Sequence, residues 1–164
     1  MKVSFTLNGD PITADVEPRT SLADLVRGEH RCTSVHLGCE HGVCGACTVL
    51  IDGKIARSCI TLAVSLDGAM VTTLEGLADD ALMARLREAF RTHHGLQCGY
   101  CTPGMLITAH DLIRRKGALA EAELRQGLAG NICRCTGYAG IVAAVAAAMD
   151  EHETTKSAAS IAAE

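Results

Sequence analysis

The stretch Gly38-Cys39-Glu40-His41-Gly42-Val43-Cys44-Gly45-Ala46-Cys47-Thr48-Val49 decides how this chain is read. Its three cysteines have the spacing C-x4-C-x2-C, and Cys59 follows just beyond the next turn. Plant-type ferredoxin loops hold a [2Fe–2S] rhomb with this spacing. A rhomb needs four thiolates, two per iron, from a chain that curls around it. Gly38, Gly42 and Gly45 allow that curling and let backbone approach closely. The N–H groups freed by such turns can point at sulfur and adjust its chemistry. A four-cysteine zinc site more often joins two short C-x2–4-C units. A cluster on Cys39, Cys44, Cys47 and Cys59 is therefore the preferred reading, with zinc and unliganded thiols as the lesser ones.

Upstream of this loop the pattern has period 2. Val3, Phe5 and Leu7 alternate with polar residues up to the Asn8-Gly9 turn signal, and Ile12, Ala14 and Val16 return. Ser21 is the expected N-cap of a short helix carrying Leu22, Leu25 and Val26. Downstream, residues 48–51 and 54–56 flank Asp52-Gly53 as a second hairpin, and Val71 marks a last strand. Near residues 73–80 the period changes to 3.6. Leu82, Leu86, Ala89 and Phe90 share a helical face. Thr102-Pro103 reads as an N-cap followed by proline at the first helical position, in a helix ending at Gly117. Further helices are expected over 121–129 and 140–149. The chain thus reads as α+β, with domains at 1–76 and 77–152 and a mobile tail over 153–164.

The helical half has its own cysteines: Cys98 and Cys101, then Cys133 and Cys135. Taken alone, C-x2-C with a later C-x-C fits either a cluster or zinc. A thioredoxin-like pair fits less well, because no βαβ pattern surrounds it. Both pairs fall at helix ends, where two helix–loop junctions can clamp a group between them.

Composition narrows the possibilities. The chain has 164 residues and a formal net charge of −4, with no basic block of the kind nucleic acid requires. Met1 to Phe5 holds no apolar leader core, and no stretch approaches a membrane span. A cytoplasmic location is the expectation, and nine cysteines in a reducing compartment indicate metal or redox chemistry rather than disulfides. Aromatic residues make up only 2%, so stability must come partly from elsewhere, such as bound clusters or a partner surface.

Three stretches together resemble the iron–sulfur part of the xanthine oxidase (molybdenum hydroxylase) family. They are GCEHGVCGACTV at 38–49, QCGYCTPGM at 97–105 and GNICRCTGY at 130–138, within a resemblance covering about residues 2–150. The resemblance implies an N-terminal plant-ferredoxin-like β-grasp domain and a C-terminal four-helix bundle, each with one [2Fe–2S] cluster. It makes Cys98, Cys101, Cys133 and Cys135 the ligands of the cluster near molybdenum. Cys39, Cys44, Cys47 and Cys59 become those of the cluster near FAD. Gln97 and Cys135 match the positions that lie against the pterin. A chain of this length is similar to the small subunit of a separate-subunit enzyme. It implies a large partner with molybdenum–pterin (molybdopterin cytosine dinucleotide) and a medium partner with FAD. N-heteroaromatic compounds, aldehydes, purines and carbon monoxide all stay open as substrates, because selectivity lies on the large chain. Tyr100 departs from the phenylalanine many relatives carry, and the approach Cys32-Thr33-Ser34-Val35-His36 is less typical.

Of the nine cysteines, Cys32 is left over and reads as a buried free thiol. His41 is not expected to be a ligand. Arg134, between two ligands, is placed to oppose the negative charge of a reduced cluster. No nucleotide or nucleophile motif is present, so no substrate chemistry is expected on this chain. The rival readings are a free-standing two-cluster ferredoxin and a zinc-stabilised interaction module.

Overall fold

Strand formation follows the alternation. In the computed structural model, which describes residues 1–161, β1 (Lys2–Leu7) buries Val3, Phe5 and Leu7 while Lys2 and Ser4 face outward. It pairs antiparallel with β2 (Asp10–Asp15), with Phe5 opposite Ile12. Asn8 and Gly9 both take positive φ, 54° and 95°, the turn whose twist suits a tight hairpin. The second hairpin joins β3 (Thr48–Ile51) to β4 (Lys54–Arg57). A short β5 (Met70–Thr72) lies between β1, to which it is parallel, and β3, to which it is antiparallel. The sheet order is β2-β1-β5-β3-β4. One helix, α1 (Leu22–Gly28), packs on this sheet through Leu22, Ala23, Leu25 and Val26. Ser21 caps it by accepting the Asp24 N–H at 3.1 Å. This is the expected β-grasp.

Strand β3 joins the two halves. Val49 enters the core under α1, while its neighbour Leu50 enters the core of the helical half. Successive side chains point to opposite faces, so β3 is covered on both sides and reads as the unbroken apolar run Val49-Leu50-Ile51.

The helical half contains α2 (Ala81–Thr92), α3 (Thr102–Lys116), α4 (Glu121–Leu128) and α5 (Ala139–Ile161). Every residue of α3 from Gly104 to Ile113 is buried, so α3 is the central helix, with α2, α4 and β3 packed around it. Its N-cap is Cys101, not Thr102. Thr102 is already helical, and its hydroxyl caps nothing. The capping position is taken by a cysteine whose side chain faces the other thiols. Helix α5 continues well past 149, because residues 150–161 contain neither glycine nor proline to stop it. The tail expected from 153 thus falls largely on helical backbone, and its end, 162–164, lies outside the described residues.

One polar pair sits inside the helical core. His110 is fully buried, and its Nε2–H donates to Asp80 Oδ1 at 3.0 Å. The same oxygen accepts the Met83 N–H and caps α2. Among the described residues His110 Nδ1 has no hydrogen-bond partner. Burial holds the His110 pKa below its ordinary 6.5, against the smaller upward pull of Asp80. The unfolded chain takes up a proton near 6.5 that the folded chain refuses, so the neutral imidazole's contribution is complete above that pH and lost below it. We expect the thermal midpoint of the iron-loaded chain, followed by helical circular dichroism, to fall as pH drops below about 6.5. In His110→Leu that slope should flatten, and an equal slope in both proteins would show that another group controls it.

Candidate metal centres

Eight thiols lie in two groups, each assembled by two loops. Cys39, Cys44 and Cys47 come from the long loop between α1 and β3. Cys59 comes from the single helical turn Ser58–Ile60 that follows β4. The Ser58 hydroxyl donates to the Cys47 carbonyl at 2.7 Å and ties these two stretches together. In the second group, Cys98 and Cys101 lie between α2 and α3, and Cys133 and Cys135 lie between α4 and α5. The Cys133 N–H donates to the Tyr138 hydroxyl at 2.8 Å, and that hydroxyl donates to the Asn131 carbonyl at 3.1 Å.

Within each group the sulfurs pair. Cys39 is within hydrogen-bonding reach of Cys44, and Cys47 of Cys59. Cys98 and Cys135 have their Sγ atoms 3.4 Å apart, and Cys101 pairs with Cys133. Among the described residues, no three His, Cys, Asp or Glu side chains meet around a single point as one metal ion would need. Two thiols per iron, on two irons, is what a [2Fe–2S] rhomb requires, and this donor set fits it.

The surroundings favour thiolate at defined positions. Cys39 is lowered to about 6 by the backbone N–H of Cys44, 3.3 Å from its sulfur, and then by that of His41. The Tyr100 N–H and then the Cys135 thiol lower Cys98. At Cys133 burial raises the pKa, but hydrogen bonds from the Thr136 hydroxyl (3.1 Å) and backbone outweigh it and the net direction is down. Burial, then the neighbouring thiol, pushes Cys59 up to about 11 and Cys101 up to about 12. Loading these two with metal therefore releases protons. Cys101 also stands at the N-terminus of the long helix α3, whose dipole favours negative charge there.

The two groups are neighbours. A cavity of about 160 Å³ has all four cysteines of the second group in its wall together with Cys44 of the first. The loops that carry them are locked by a buried polar joint. The Ile132 N–H donates to the Cys44 carbonyl at 2.8 Å. The Asn131 amide donates to the Gly45 carbonyl at 3.0 Å and accepts the Thr108 hydroxyl at 2.8 Å. Arg57 reaches over from β4 to the Gly130 carbonyl at 2.7 Å. Two glycines make room for this joint. A Cβ on Gly45 would stand 2.6 Å from the Gly130 carbonyl, and one on Gly104 only 2.2 Å from the Gly45 carbonyl.

All eight cysteines singled out in the sequence are thus brought into the two groups. Gln97 lies exposed beside Cys98, and Cys135 is exposed at the same surface. Cys32 lies apart, buried, with Asn8 Nδ2 at 3.7 Å from its sulfur and its pKa raised by burial. Arg134 lies in the wall of the shared cavity. Sequence reasoning missed Asn131, Thr108, Arg57 and His36. Asn131 precedes Ile132-Cys133 inside a quoted motif, but an asparagine there carries no visible sign of its distant partners.

Comparison with known proteins agrees with this geometry. A "2Fe-2S iron-sulfur cluster binding domain" matches residues 5–74, and a "[2Fe-2S] binding domain" matches residues 73–146. The chain is 46% identical to the caffeine dehydrogenase subunit gamma of Pseudomonas sp. (strain CBB1), covering 94% of this chain and 95% of that one. It is 48% identical to the nicotine 6-hydroxylase small subunit of Paenarthrobacter nicotinovorans, covering 88% and 87%. Among solved structures, quinoline 2-oxidoreductase from Pseudomonas putida 86 superposes with a TM-score of 0.86 at 47% identity, over 92% of this chain and 94% of its counterpart.

Removing the buried joint should loosen the whole molecule. Asn131→Ala removes two buried hydrogen bonds, to the Gly45 carbonyl and from the Thr108 hydroxyl, although Thr48 and the Gly104 carbonyl stay as partners of those groups, at a cost of about 1–3 kcal/mol for the two. Gly104→Ala drives a methyl group against a backbone carbonyl, at a cost of roughly 1–3 kcal/mol. Urea unfolding of the iron-loaded chain measures both. Wild-type midpoints in the two variants would mean that the joint adds nothing to stability.

Proposed function

The chain belongs to the iron–sulfur small subunits of the xanthine oxidase family of molybdenum hydroxylases, and from that membership we propose how its residues serve an electron-transfer role. Two paired-thiol groups, all four thiols of one meeting Cys44 of the other in one cavity wall, are the observation that carries the proposal. In this reading Cys39, Cys44, Cys47 and Cys59 hold one [2Fe–2S] cluster within a unit of residues 1–76. Cys98, Cys101, Cys133 and Cys135 hold the other within residues 77–152. When bound, each cluster takes up and gives back a single electron.

The chain's own residues do the rest. Cys44, His41 and Tyr100 backbone N–H groups and the Thr136 hydroxyl stabilise negative sulfur. The Asn131 joint fixes one thiol group against the other. Exposed apolar side chains ring both groups, with Val43, Ile60 and Leu62 near the first and Leu96, Tyr100 and Ile132 near the second. We assign the first rim to a medium FAD-binding subunit. The second, with Gln97 and Cys135, goes to a large subunit carrying molybdenum–pterin, of the cytosine dinucleotide type. Electrons then enter at the second group and leave from the first.

The relatives that match along their whole length include subunits of enzymes named for caffeine, nicotine and quinoline. We therefore propose an N-heteroaromatic ring as the substrate class of the assembled enzyme. No described helix is long and apolar enough to cross a membrane, and a cytoplasmic setting suits the unpaired thiols. The similar chains are subunits of larger enzymes, which does not favour a free-standing ferredoxin.

Native purification under nitrogen tests the reading. The chain should co-elute with a molybdenum-containing and a flavin-containing chain, carry about four iron and negligible zinc, and give two [2Fe–2S] EPR signals on reduction. Cys135→Ser should remove or alter one signal and leave the other. An active, iron-loaded chain that elutes alone would instead favour a diffusing ferredoxin, and a colourless zinc protein would overturn the reading altogether.

A further inference from the structure

We propose that Tyr100, pinned by His36, is the positioning residue that closes the exposed side of the gap between the two thiol groups and keeps water out of it. The proposal rests on the reading that both groups hold clusters. That reading uses the Tyr100 ring only as part of an exposed rim, and the proposal concerns what the ring's contacts with the His36 loop do.

The gap has two sides. Its inner side is sealed by the buried joint of Asn131, Thr108 and the Ile132–Cys44 backbone bond. Among the described residues its outer side has no such joint. There Tyr100, between Cys98 and Cys101, lines the shared cavity together with Gly38 and Cys44. A Cβ on Gly38 would stand 3.2 Å from Cys44 Sγ and 3.7 Å from Tyr100 Cε1. The tyrosine ring of the second loop and the sulfur of the first thus flank one bare glycine.

The ring is held more firmly than exposure alone explains. Tyr100 is 49% exposed, and a surface tyrosine normally keeps its rotamer freedom. Here the His36 ring stacks on it, with centroids 4.7 Å apart and planes inclined by 22°. His36 Nδ1–H donates to the Tyr100 carbonyl at 2.7 Å, and the Tyr100 hydroxyl donates to the Leu37 carbonyl at 2.7 Å. Each loop therefore gives a side chain to the other's backbone. A phenylalanine at 100 would keep the ring and lose the Leu37 bond. Solvent access and local dielectric around a metal group govern its potential and its exchange with neighbours. A pinned ring in the wall of this gap acts on that access.

The test uses the assembled enzyme carrying Tyr100→Ala, Tyr100→Phe or His36→Ala. Three quantities are read after reduction: deuterium coupling to the clusters in D2O, spin–spin splitting between them, and electron redistribution between them after flash reduction. In Tyr100→Ala we expect stronger deuterium coupling and redistribution slowed by about tenfold, the low end of what loss of a residue orienting metal ligands costs. Tyr100→Phe should fall between this variant and wild type. If Tyr100→Ala does not assemble, His36→Ala, which keeps the ring and frees it, should show the same direction of change. Unchanged coupling and redistribution in His36→Ala and Tyr100→Ala would overturn the proposal. So would loss of the large subunit with unchanged coupling, which would make Tyr100 a docking contact only. A wild-type enzyme without two EPR signals would instead sink the cluster reading on which this rests.

Discussion

The fold depends on one crossing, where the Gly45 carbonyl of the first cysteine loop lies over Gly104 in the first turn of α3. Space for a single Cβ is missing on both sides of it. Asn131 enters this crossing from the α4–α5 loop and satisfies the Gly45 carbonyl, while Thr108, one turn along α3, satisfies Asn131. A buried polar network is stabilising only when its members are paired, and this one pairs both the carbonyl and the amide. Because Ile132 and Cys133 follow Asn131 directly, the joint that packs the β-grasp unit on the helices also sets where the second thiol group stands. Packing and the placement of the thiols are here one constraint.

The aromatic residues are distributed consistently with this. Phe5 is buried in the sheet core and Phe90 in the helical core, one for each. Neither tyrosine belongs to either buried core. The Tyr138 hydroxyl stands between the Cys133 N–H and the Asn131 carbonyl, and the Tyr100 hydroxyl reaches Leu37. A chain with so few rings has placed half of them where thiol-bearing loops must be kept in register. The aliphatic core around α3 takes the place that larger rings have elsewhere.

Much of this was legible in the sequence because its signals are local. Period 2 against period 3.6 separated sheet from helices. Asn8-Gly9 and Asp52-Gly53 fixed the hairpins, and Ser21 fixed the start of α1. The C-x4-C-x2-C spacing gave the first thiol group, since a loop that curls round a rhomb has few permitted spacings, whereas the second, ambiguous by spacing alone, came from the resemblance of the three motifs. What escaped was non-local or local in a misleading way. Thr102-Pro103 has the form of a cap and first helical residue, yet Cys101 takes the cap because its sulfur must face Cys133. Helix α5 outran its apolar stretch because nothing in the following residues breaks a helix. Asn131, Arg57 and His36 act across 64 to 86 residues of chain, and no periodicity encodes such a partner.

The two contacts between the cysteine loops differ in kind, and the difference has a physical reason. The inner one is made of backbone carbonyls, glycines and a buried amide, where a change either removes a buried hydrogen bond or drives a Cβ against a carbonyl. The outer one is made of two half-exposed rings and carbonyls that solvent can reach, so its members can change at small cost to folding. A subunit that must keep its thiol groups at a fixed separation, and still tune what lies between them, gains from this division. Rigidity comes from the side where a Cβ has no room, and adjustment is left to the side that solvent reaches. His36 and Tyr100 make that second side, while Gly45, Gly104 and Asn131 hold the first.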